Sequence, residues 1–374
     1  MGAWLGVVIF IVAILIAVLI HEAGHFLSAK AFGIKVEEFF VGFGPRLWSF
    51  RRGETEYGVK ALPLGGYVRI AGMNPFQQVP EKDRPRTFPA KPIWQRAIVI
   101  FAGPVTHFVM AVVFLAVFLM AVGVENDRRP TIGAVEPRLG GRPSPAAAAG
   151  LKPGDEIVAI NGSPVGSRDR LVMFTRQHVG QPITLTVVRD GRRFNATVSP
   201  VLAQVGERRV GRLGVVLGGV RDRENPVAAF GRAVVEVGSV TKAIVVRLDD
   251  VFGLSALRGI GQVLIGSRPR TTEDPASVVG GARLAGEAVA AGAWDYLFNL
   301  LIVFNIFVGI VNLVPLPPLD GGHLAVLAYE KVRRRRPDLR KLAPVTALVA
   351  AFMILLVVSL TYIDIVEPLP NPFR

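Results

Sequence analysis

The segment HEAGH, residues 21–25, carries the side chains best suited to metal chemistry. On a helix, residues four positions apart lie on one face about a turn apart, so the imidazoles of His21 and His25 could bind one Zn²⁺ at about 2.0–2.1 Å. Glu22 is turned by about 100° around the helix axis, which places its carboxylate near the metal but poorly for coordination. That position suits a base for a metal-bound water. The spacing therefore predicts a hydrolytic zinc centre with Glu22 as general base.

The helix that must carry this motif is apolar from about residue 4 to residue 20 and continues to about Ala29. A cleaved signal peptide is the alternative, but the start of the chain has no basic side chain and no small-x-small cleavage site follows. A helix of this length can span a bilayer, and ionisable residues at the end of a span are costly enough to indicate function. We therefore predict a retained transmembrane helix over residues 1–30.

Three further apolar blocks follow, at residues 93–122, 294–323 and 343–366. Trp94 and Trp294 stand where interfacial aromatic residues usually lie. Lys and Arg are concentrated in the connections 31–92 and 324–342, and the positive-inside rule makes these connections cytoplasmic. Both termini and the long segment between the second and third spans would then be extracytoplasmic, with HEAGH near the cytoplasmic side.

The composition indicates a membrane protein. Of the 374 residues 51% are hydrophobic and 19% are charged, against about 25% charged residues in ordinary soluble proteins. The net charge of +14 could indicate nucleic acid, but the basic residues flank the apolar blocks, where anionic lipid headgroups are the simpler partner. The absence of cysteine excludes disulfides and cysteine metal ligands. We expect the lipid bilayer as a partner and no nucleic acid.

Residues 129–203 are predicted to form a mainly β domain inserted outside the membrane. Two β-branched runs joined at Asp190-Gly191 predict a β-hairpin. Together with GLKPGDEIVAING, they resemble a PDZ domain of the bacterial protease type. The resemblance implies that a peptide or a substrate ectodomain binds at a sheet edge of this domain.

Residues 204–293 are predicted to form a linker with an amphipathic helix. Phe230, Val234 and Val237 recur at helical spacing, opposite Arg232. This helix could lie on the outer membrane face or pack on the PDZ-like domain.

The cytoplasmic end of the third span, NLVPLPPLDGGH, offers a third metal ligand. Asp320 follows a proline-rich stretch that ends the helix and precedes Gly321-Gly322, which allow a tight turn. That geometry lets the carboxylate point back into the bundle. The alternative is an ordinary helix-terminating turn with Asp320 as a turn residue, and this stretch taken alone would favour it.

Four features occur in order along nearly the whole chain: HEAGH in the first span, FAGP in the second, the PDZ-like strings, and NLVPLPPLDGG in the third. Together they resemble the site-2 protease family of intramembrane metalloproteases, and most closely the bacterial kind that cleaves anti-sigma factors. The resemblance implies one Zn²⁺ per chain, bound by His21, His25 and Asp320, with Glu22 as general base. It also implies that Asn312 holds the substrate or stabilises the oxyanion.

Two positions depart from the family pattern. His107 stands where the family often has an asparagine, and we expect it to be structural. Phe307 stands where several relatives have another asparagine, with Asn305 two residues earlier. His323, next to the LDG string, is a further candidate ligand.

Residues 54–71 resemble two short strands joined around Pro63–Gly66. In the family such a hairpin dips into the membrane and pairs with the substrate, which implies that Gly65, Gly66 and Tyr67 bind substrate. The physics agrees, because a transmembrane helix hides its peptide bonds and must unwind, and pairing with a sheet edge replaces the lost hydrogen bonds. A surface hairpin with no substrate role is the alternative.

We therefore predict a polytopic α-helical protein of the bacterial inner membrane, with four transmembrane helices, a membrane-associated β-hairpin and an inserted extracytoplasmic PDZ domain. Its predicted activity is zinc-dependent cleavage within or next to the transmembrane segments of single-span proteins, with anti-sigma factors implied by resemblance. A membrane scaffold would not need both Glu22 and Asp320, and a transporter would more often show internal repeats. Zinc binding without proteolysis would favour the scaffold, and zinc flux the transporter.

Overall fold

The computed structural model describes residues 2–74, 76–139, 141–205, 208–271 and 274–373. Parts of the predicted 31–92 connection, 129–203 domain and 204–293 linker therefore lie outside the described residues. The chain divides into two compact units, one formed by Met1–Ala116 with Phe230–Arg374 and the other by Val117–Ala229.

The first unit begins with two long helices separated by a pair of strands. These elements are α1 (Ala3–Ala31), β1 (Val36–Arg52), β2 (Thr55–Ile70) and α2 (Ile93–Ala121), with short 3₁₀ helices at Glu81–Arg86 and Phe88–Ala90. α1 is apolar along its length and ends where Gly33 adopts a φ of +65°, a left-handed conformation typical of helix C-termini.

β1 and β2 form an antiparallel pair that bends. Residues 36–41 pair with residues 66–70, and residues 46–52 pair with residues 55–60. Residues 38–41 also align with residues 56–59, so they lie in the middle of this small sheet. Residues 66–70 therefore form an outer edge, and no strand of the described chain pairs with the far side of that edge.

The prediction of a hairpin within residues 54–71 is wrong. The turn falls at Gly53-Glu54, where Gly53 has a φ of +64°, and the segment Pro63–Gly66 lies inside β2. The partner of β2 is β1, which the sequence did not reveal because Gly42 and Pro45 interrupt its apolar pattern. Gly42 allows the bend, since an added Cβ would lie 2.7 Å from the carbonyl oxygen of Leu62.

The second unit is mainly β. Its elements are β3 (Val124–Val135), β4 (Arg138–Leu139), β5 (Arg142–Pro143), α3 (Pro145–Ala148), β6 (Glu156–Ile160), β7 (Ser163–Pro164), α4 (Arg168–Gln177), β8 (Ile183–Arg189), β9 (Arg192–Val198), β10 (Val201–Val205), β11 (Arg208–Arg212) and β12 (Val215–Asp222). The main sheet has the order β12-β3-β6-β8-β9, with β7 beside β6. Its core includes Ile132, Ile157 and Leu185 from strands, together with Leu171 from α4.

The hairpin predicted at Asp190-Gly191 is confirmed. β8 and β9 pair in a register that ends at Arg189 opposite Arg192, and Asp190 and Gly191 both have positive φ, at 49° and 76°. Positive φ at both central residues is the condition for a two-residue hairpin turn that matches the twist of the strands.

The first unit resumes with a series of helices. These are α5 (Pro226–Val246), α6 (Asp249–Phe252), α7 (Leu254–Leu264), α8 (Val278–Ala290), α9 (Trp294–Asn312), α10 (Asp320–Arg333) and α11 (Ala343–Val366), with a 3₁₀ helix at Leu339–Leu342. The predicted amphipathic helix corresponds to α5, and the described residues of this segment also form α6, α7 and α8. Val237 of α5 packs against Ala111 of α2 and Ile306 of α9, which accounts for its apolar face.

Among the described residues, four helices are long and apolar enough to cross a membrane: Ala3–Ala31, Ile93–Ala121, Trp294–Asn312 and Arg340–Val366. Their number and order agree with the four predicted spans.

The prediction of one helical span over residues 294–323 is wrong at its end. α9 stops at Asn312, a turn with a cis Pro317-Pro318 peptide follows, and Asp320 begins α10. Gly321 thus lies in the first turn of a helix instead of a tight turn. An added Cβ there would lie 2.3 Å from the carbonyl oxygen of Leu313, so the glycine lets α10 start against the preceding turn.

Candidate metal centre

The two histidines of the HEAGH string lie on one face of α1, in its second half. His21 and His25 are each 8% exposed, and their Nε2 atoms are 3.2 Å apart. The i,i+4 spacing on a continuous helix is sufficient to bring the two rings together.

Asp320 completes a cluster of three potential metal ligands. Its Oδ2 atom lies 3.3 Å from Nε2 of His21 and 3.3 Å from Nε2 of His25. In a tetrahedral zinc site with bonds of about 2.0–2.1 Å, neighbouring ligand atoms are about 3.3 Å apart. The triangle of ligand atoms therefore has the dimensions of one face of a zinc tetrahedron.

The hydrogen bonding around the cluster also fits a metal ion. Nδ1 of His25 lies 2.8 Å from the carbonyl oxygen of Val99, so this nitrogen donates and Nε2 keeps its lone pair. Among the described residues, Oδ2 of Asp320 is buried without a hydrogen-bond partner. Lone pairs that face one another this closely repel unless a cation lies between them. The donor set of two imidazoles and one carboxylate is one that zinc accepts.

α2 makes room for the cluster at Gly103, the glycine of the FAGP string. An added Cβ at Gly103 would lie 2.3 Å from Nε2 of His25 and 2.9 Å from Cε1 of His21. An added Cβ at Gly24 of α1 would lie 2.6 Å from the carbonyl oxygen of Ala102, so the two helices approach closely at this level. The sequence analysis quoted FAGP but assigned Gly103 no role.

Glu22 lies against β2. An added Cβ at Gly66 would lie 3.2 Å from Cγ of Glu22. The structure thus brings Gly66 to the proposed base. Gly65 has a φ of +148°, and a Cβ added to this glycine would lie 2.8 Å from Cε2 of Phe43.

The side chain of Tyr67 takes part in interactions within the small sheet. Its ring stacks on that of Phe40, with centroids 5.9 Å apart, and its hydroxyl donates to Glu38 and accepts from Lys60.

Two polar residues in the apolar spans form a pair next to His21. His107 and Asn305 are each 1% exposed, and Nδ1 of His107 donates to Oδ1 of Asn305 over 3.0 Å. The amide nitrogen of Asn305 donates in turn to the carbonyl oxygen of Leu301. The His107 ring lies 5.1 Å from that of His21, measured between centroids. A polar residue in each of two spans was the available signal, but their pairing could not be deduced without the fold.

The remaining sequence candidates lie near the same end of the bundle. Asn312 is the last residue of α9 and is half-buried. His323 is also half-buried, and burial lowers its pKa. In the part of the chain that the structure describes, the cluster within metal-binding distance consists of His21, His25 and Asp320, and His323 is not a member.

Known proteins that resemble this chain are metalloproteases. The profile of peptidase family M50 matches residues 9–357. The zinc metalloprotease Rip1 of Mycolicibacterium smegmatis is 35% identical over 413 aligned positions that cover 98% of each chain. Rip1 of Mycobacterium tuberculosis H37Rv is 34% identical over 99% of this chain and 98% of its own. The metalloprotease MmpA of Caulobacter vibrioides is 33% identical over 88% of this chain and 89% of its own.

Apolar helices of membrane-spanning length and a His-His-Asp cluster with two buried histidines, together with these relatives, define a zinc metalloprotease that crosses the inner membrane several times. The chain belongs to peptidase family M50, the site-2 protease family.

Proposed function

We propose that this chain cleaves peptide bonds within or next to the transmembrane segments of single-span membrane proteins, with one Zn²⁺ bound by His21, His25 and Asp320. The observation that supports this most directly is the triangle of ligand atoms 3.2–3.3 Å apart at the end of an apolar helix. When bound, the ion would act as a Lewis acid that polarises water and the carbonyl under attack.

Glu22 is the proposed general base. Its carboxylate takes a proton from the attacking water and passes it to the nitrogen of the leaving amine. The side chain of Glu22 lies against Gly66 of β2. Asn312, at the end of α9, is the proposed second donor that stabilises the oxyanion.

The edge of β2 is the proposed docking site for the unwound substrate. Residues 66–70 pair with β1 on one side. No other strand of the described residues pairs with their second side, so an added strand could pair there. Gly66 lies against Glu22, so a strand laid along Gly65, Gly66 and Tyr67 would pass the proposed base. The added hydrogen bonds would compensate for those that the substrate helix loses.

The second unit is the proposed PDZ domain, and it would receive a peptide or the substrate ectodomain. A groove of about 400 Å³ between α4 and β11–β12 supports this role, with Val172, Thr175, Leu213 and Leu217 among its lining residues. The basic connections of the chain support an orientation in which this unit and both termini are extracytoplasmic. The zinc cluster would then lie near the cytoplasmic side. A trimmed, anti-sigma-like single-span protein is the proposed substrate.

The test is cleavage of such a trimmed substrate in membranes by the wild type and by Glu22→Gln. We expect Glu22→Gln to keep one zinc per chain and to lose about 10²–10⁴-fold in rate, the usual contribution of a general acid–base group. Glu81→Gln, which changes a carboxylate with an 89% exposed side chain, is the matched control and should cleave normally. Equal cleavage by wild type and Glu22→Gln, with zinc bound to both, would remove Glu22 from the mechanism.

A further inference from the structure

A cavity of about 940 Å³ has Gly322 and His323, which follow Asp320 on α10, among its lining residues. One wall is residues 68–70 of β2, and the facing wall is formed by α10 and the first turns of α11. The turn with the cis proline contributes Pro315, Pro317 and Pro318. A volume near the upper end of ordinary ligand pockets has room for several side chains of a bound peptide.

The cavity adjoins the elements that carry the proposed cleavage site. It begins at Gly322 and His323, which follow directly after the first residues of α10. Its β2 wall includes Val68, two residues after Gly66, the residue of β2 that lies against Glu22. A substrate strand paired with the outer edge of β2 would therefore enter this cavity as it leaves the zinc cluster.

The walls indicate which residues of the substrate would fit. Small side chains on the facing wall, among them Ala325, Ala347 and Ala350, leave the space open. Of the described residues that line the cavity, Arg69 is the one with a permanent charge, and its guanidinium is paired with Glu37 and Glu38. The cavity thus offers apolar contacts and little that would attract a charged side chain.

We infer that this cavity binds the unwound part of the substrate that runs from the scissile bond toward the α10–α11 connection, and that it selects large apolar side chains there. The inference rests on the proposed function and adds to it a second wall, opposite the β2 edge, that determines specificity. A lipid acyl chain is the other apolar occupant of suitable chemistry, and the experiment distinguishes the two.

Two alanines on α10 provide a matched pair of probes. Ala325 lines the cavity, whereas Ala328 lines a separate groove with Trp94 and Lys331, and both alanines are exposed. The chain has no cysteine, so Ala325→Cys and Ala328→Cys each introduce a single thiol. Each is combined with Glu22→Gln to retain uncut substrate and oxidised with substrates that carry one cysteine at successive positions.

We expect Ala325→Cys to form disulfides with a short run of substrate positions on one side of the scissile bond, and Ala328→Cys to form none in that run. Equal cross-linking by both variants, or none by Ala325→Cys while the cysteine-free enzyme cleaves the same substrate, would overturn the inference. Failure of the proposed function would look different, because the cysteine-free enzyme would then not cleave at all.

A kinetic experiment tests the selection of side chains. Ala325→Leu narrows the cavity and should lower kcat/KM by at least about tenfold for a substrate with Leu or Phe in the cross-linked run, as expected when a filled pocket rejects added bulk. Shortening that substrate residue to Ala should restore cleavage, and zinc content should not change. Ala328→Leu should cleave both substrates like the wild type. If the cavity holds lipid, Ala325→Leu will treat the two substrates alike, which would contradict the inference.

Discussion

At the scale of single residues, the positions of the proposed zinc ligands depend on the room that neighbouring helices leave for them as well as on the chemistry of their side chains. The imidazoles of His21 and His25 fill the position that a side chain on Gly103 would need. Neither ring can move aside easily, because His25 is held by the carbonyl oxygen of Val99 and His21 is buried. The absence of a side chain at Gly103 is therefore required for the two rings to keep their positions.

Gly103→Ala should weaken zinc binding. The new methyl group would lie 2.3 Å from Nε2 of His25, so the ring must shift away from the other ligands. We expect a loss of about 10–100-fold in zinc affinity, the range seen when groups that orient a ligand are changed. Competition with a chelator measures it, without any need for substrate.

Gly238→Ala on α5 is the matched control, because its added Cβ meets nothing within 4 Å. This change should leave zinc affinity unaltered and favour the helix by up to about 1 kcal/mol. Unchanged zinc binding in Gly103→Ala would show that the two rings are not confined by α2.

The sequence predicted some of these residues and not others, for a physical reason. His21, Glu22 and His25 lie within one helical turn, where spacing alone determines which side chains meet. Asp320 is far along the chain, so its local sequence made it only a candidate ligand, and the family resemblance was needed to prefer that role over a turn residue. The contact between His107 and Asn305 joins two spans 198 residues apart, and no local pattern could predict it.

At the scale of elements, an ion pair connects α10 with the start of α2. Arg96, whose side chain is 6% exposed, donates from both terminal nitrogens to Glu330 over 2.8 Å. The Arg96 guanidinium lowers the pKa of Glu330, and Arg336 is a second partner of the carboxylate at 3.2 Å. Because Asp320 is the first residue of the same helix, this pair helps to keep the carboxylate at the two histidines.

Glu330→Gln should loosen α10 and speed the loss of zinc. Removing one partner leaves the buried Arg96 uncompensated, which costs about 3 kcal/mol in comparable buried pairs. The double variant Arg96→Met with Glu330→Leu should recover most of that loss, since apolar pairs of similar size are often as stable. Unfolding temperature and zinc release are measured for both variants. A double variant no better than Glu330→Gln would show that the charge pair itself, and not its burial, secures α10.

The bent sheet is an element where local pattern was insufficient. The strand character of residues 54–71 was predicted correctly, yet the turn was assigned to Pro63–Gly66 and the partner strand β1 was missed. The bend at Gly42 depends on the close approach of the Leu62 carbonyl, which is a tertiary contact. Local pattern was also insufficient for α10. The prolines before Asp320 predicted the end of one helix, but nothing in the local sequence predicted that the next helix begins at Asp320.

At the scale of the whole molecule, acid should destabilise the protein through its paired carboxylates. Arg86 lowers the pKa of Glu54, and Arg129 lowers that of Glu156. Burial raises the pKa of Asp155, but hydrogen bonds from Arg189 and the Lys152 amide lower it further. Each carboxylate therefore binds its proton more weakly in the folded protein than in the unfolded chain. Its contribution to stability is complete at a pH above its ordinary pKa, which is 4.5 for glutamate and 3.8 for aspartate. That contribution is lost as the pH falls below this pKa.

We expect the unfolding midpoint in detergent to be flat near neutral pH and to fall below about pH 4.5. Asp155→Asn should lower the midpoint at pH 7 and reduce the slope below pH 4, because the ion pair with Arg189 is then absent at every pH. A midpoint that rises on acidification would contradict the linkage.

Both ends of residues 125–221, most of the second unit, lie next to each other, so this segment can be replaced as a whole. β3 and β12 pair at its base, with Val124 opposite Asp222, so the chain enters and leaves at adjacent points. Paired residues of antiparallel strands lie about 4.5–5.5 Å apart, a gap that a two-residue turn can close. Residues 125–221 can therefore be replaced by a short Gly-containing turn or by an unrelated compact domain of equal length.

We expect the short-turn variant to cleave a trimmed substrate at close to the wild-type rate and to cleave the untrimmed substrate as well, because the proposed discrimination lies in the removed unit. The unrelated domain separates the two ways in which the unit could act. If it restores rejection of the untrimmed substrate, bulk alone excludes large ectodomains. If it does not, recognition depends on the surface of this unit, and the groove beside α4 is the first place to substitute. A short-turn variant that still rejects the untrimmed substrate would place discrimination in the first unit, which carries the proposed zinc site.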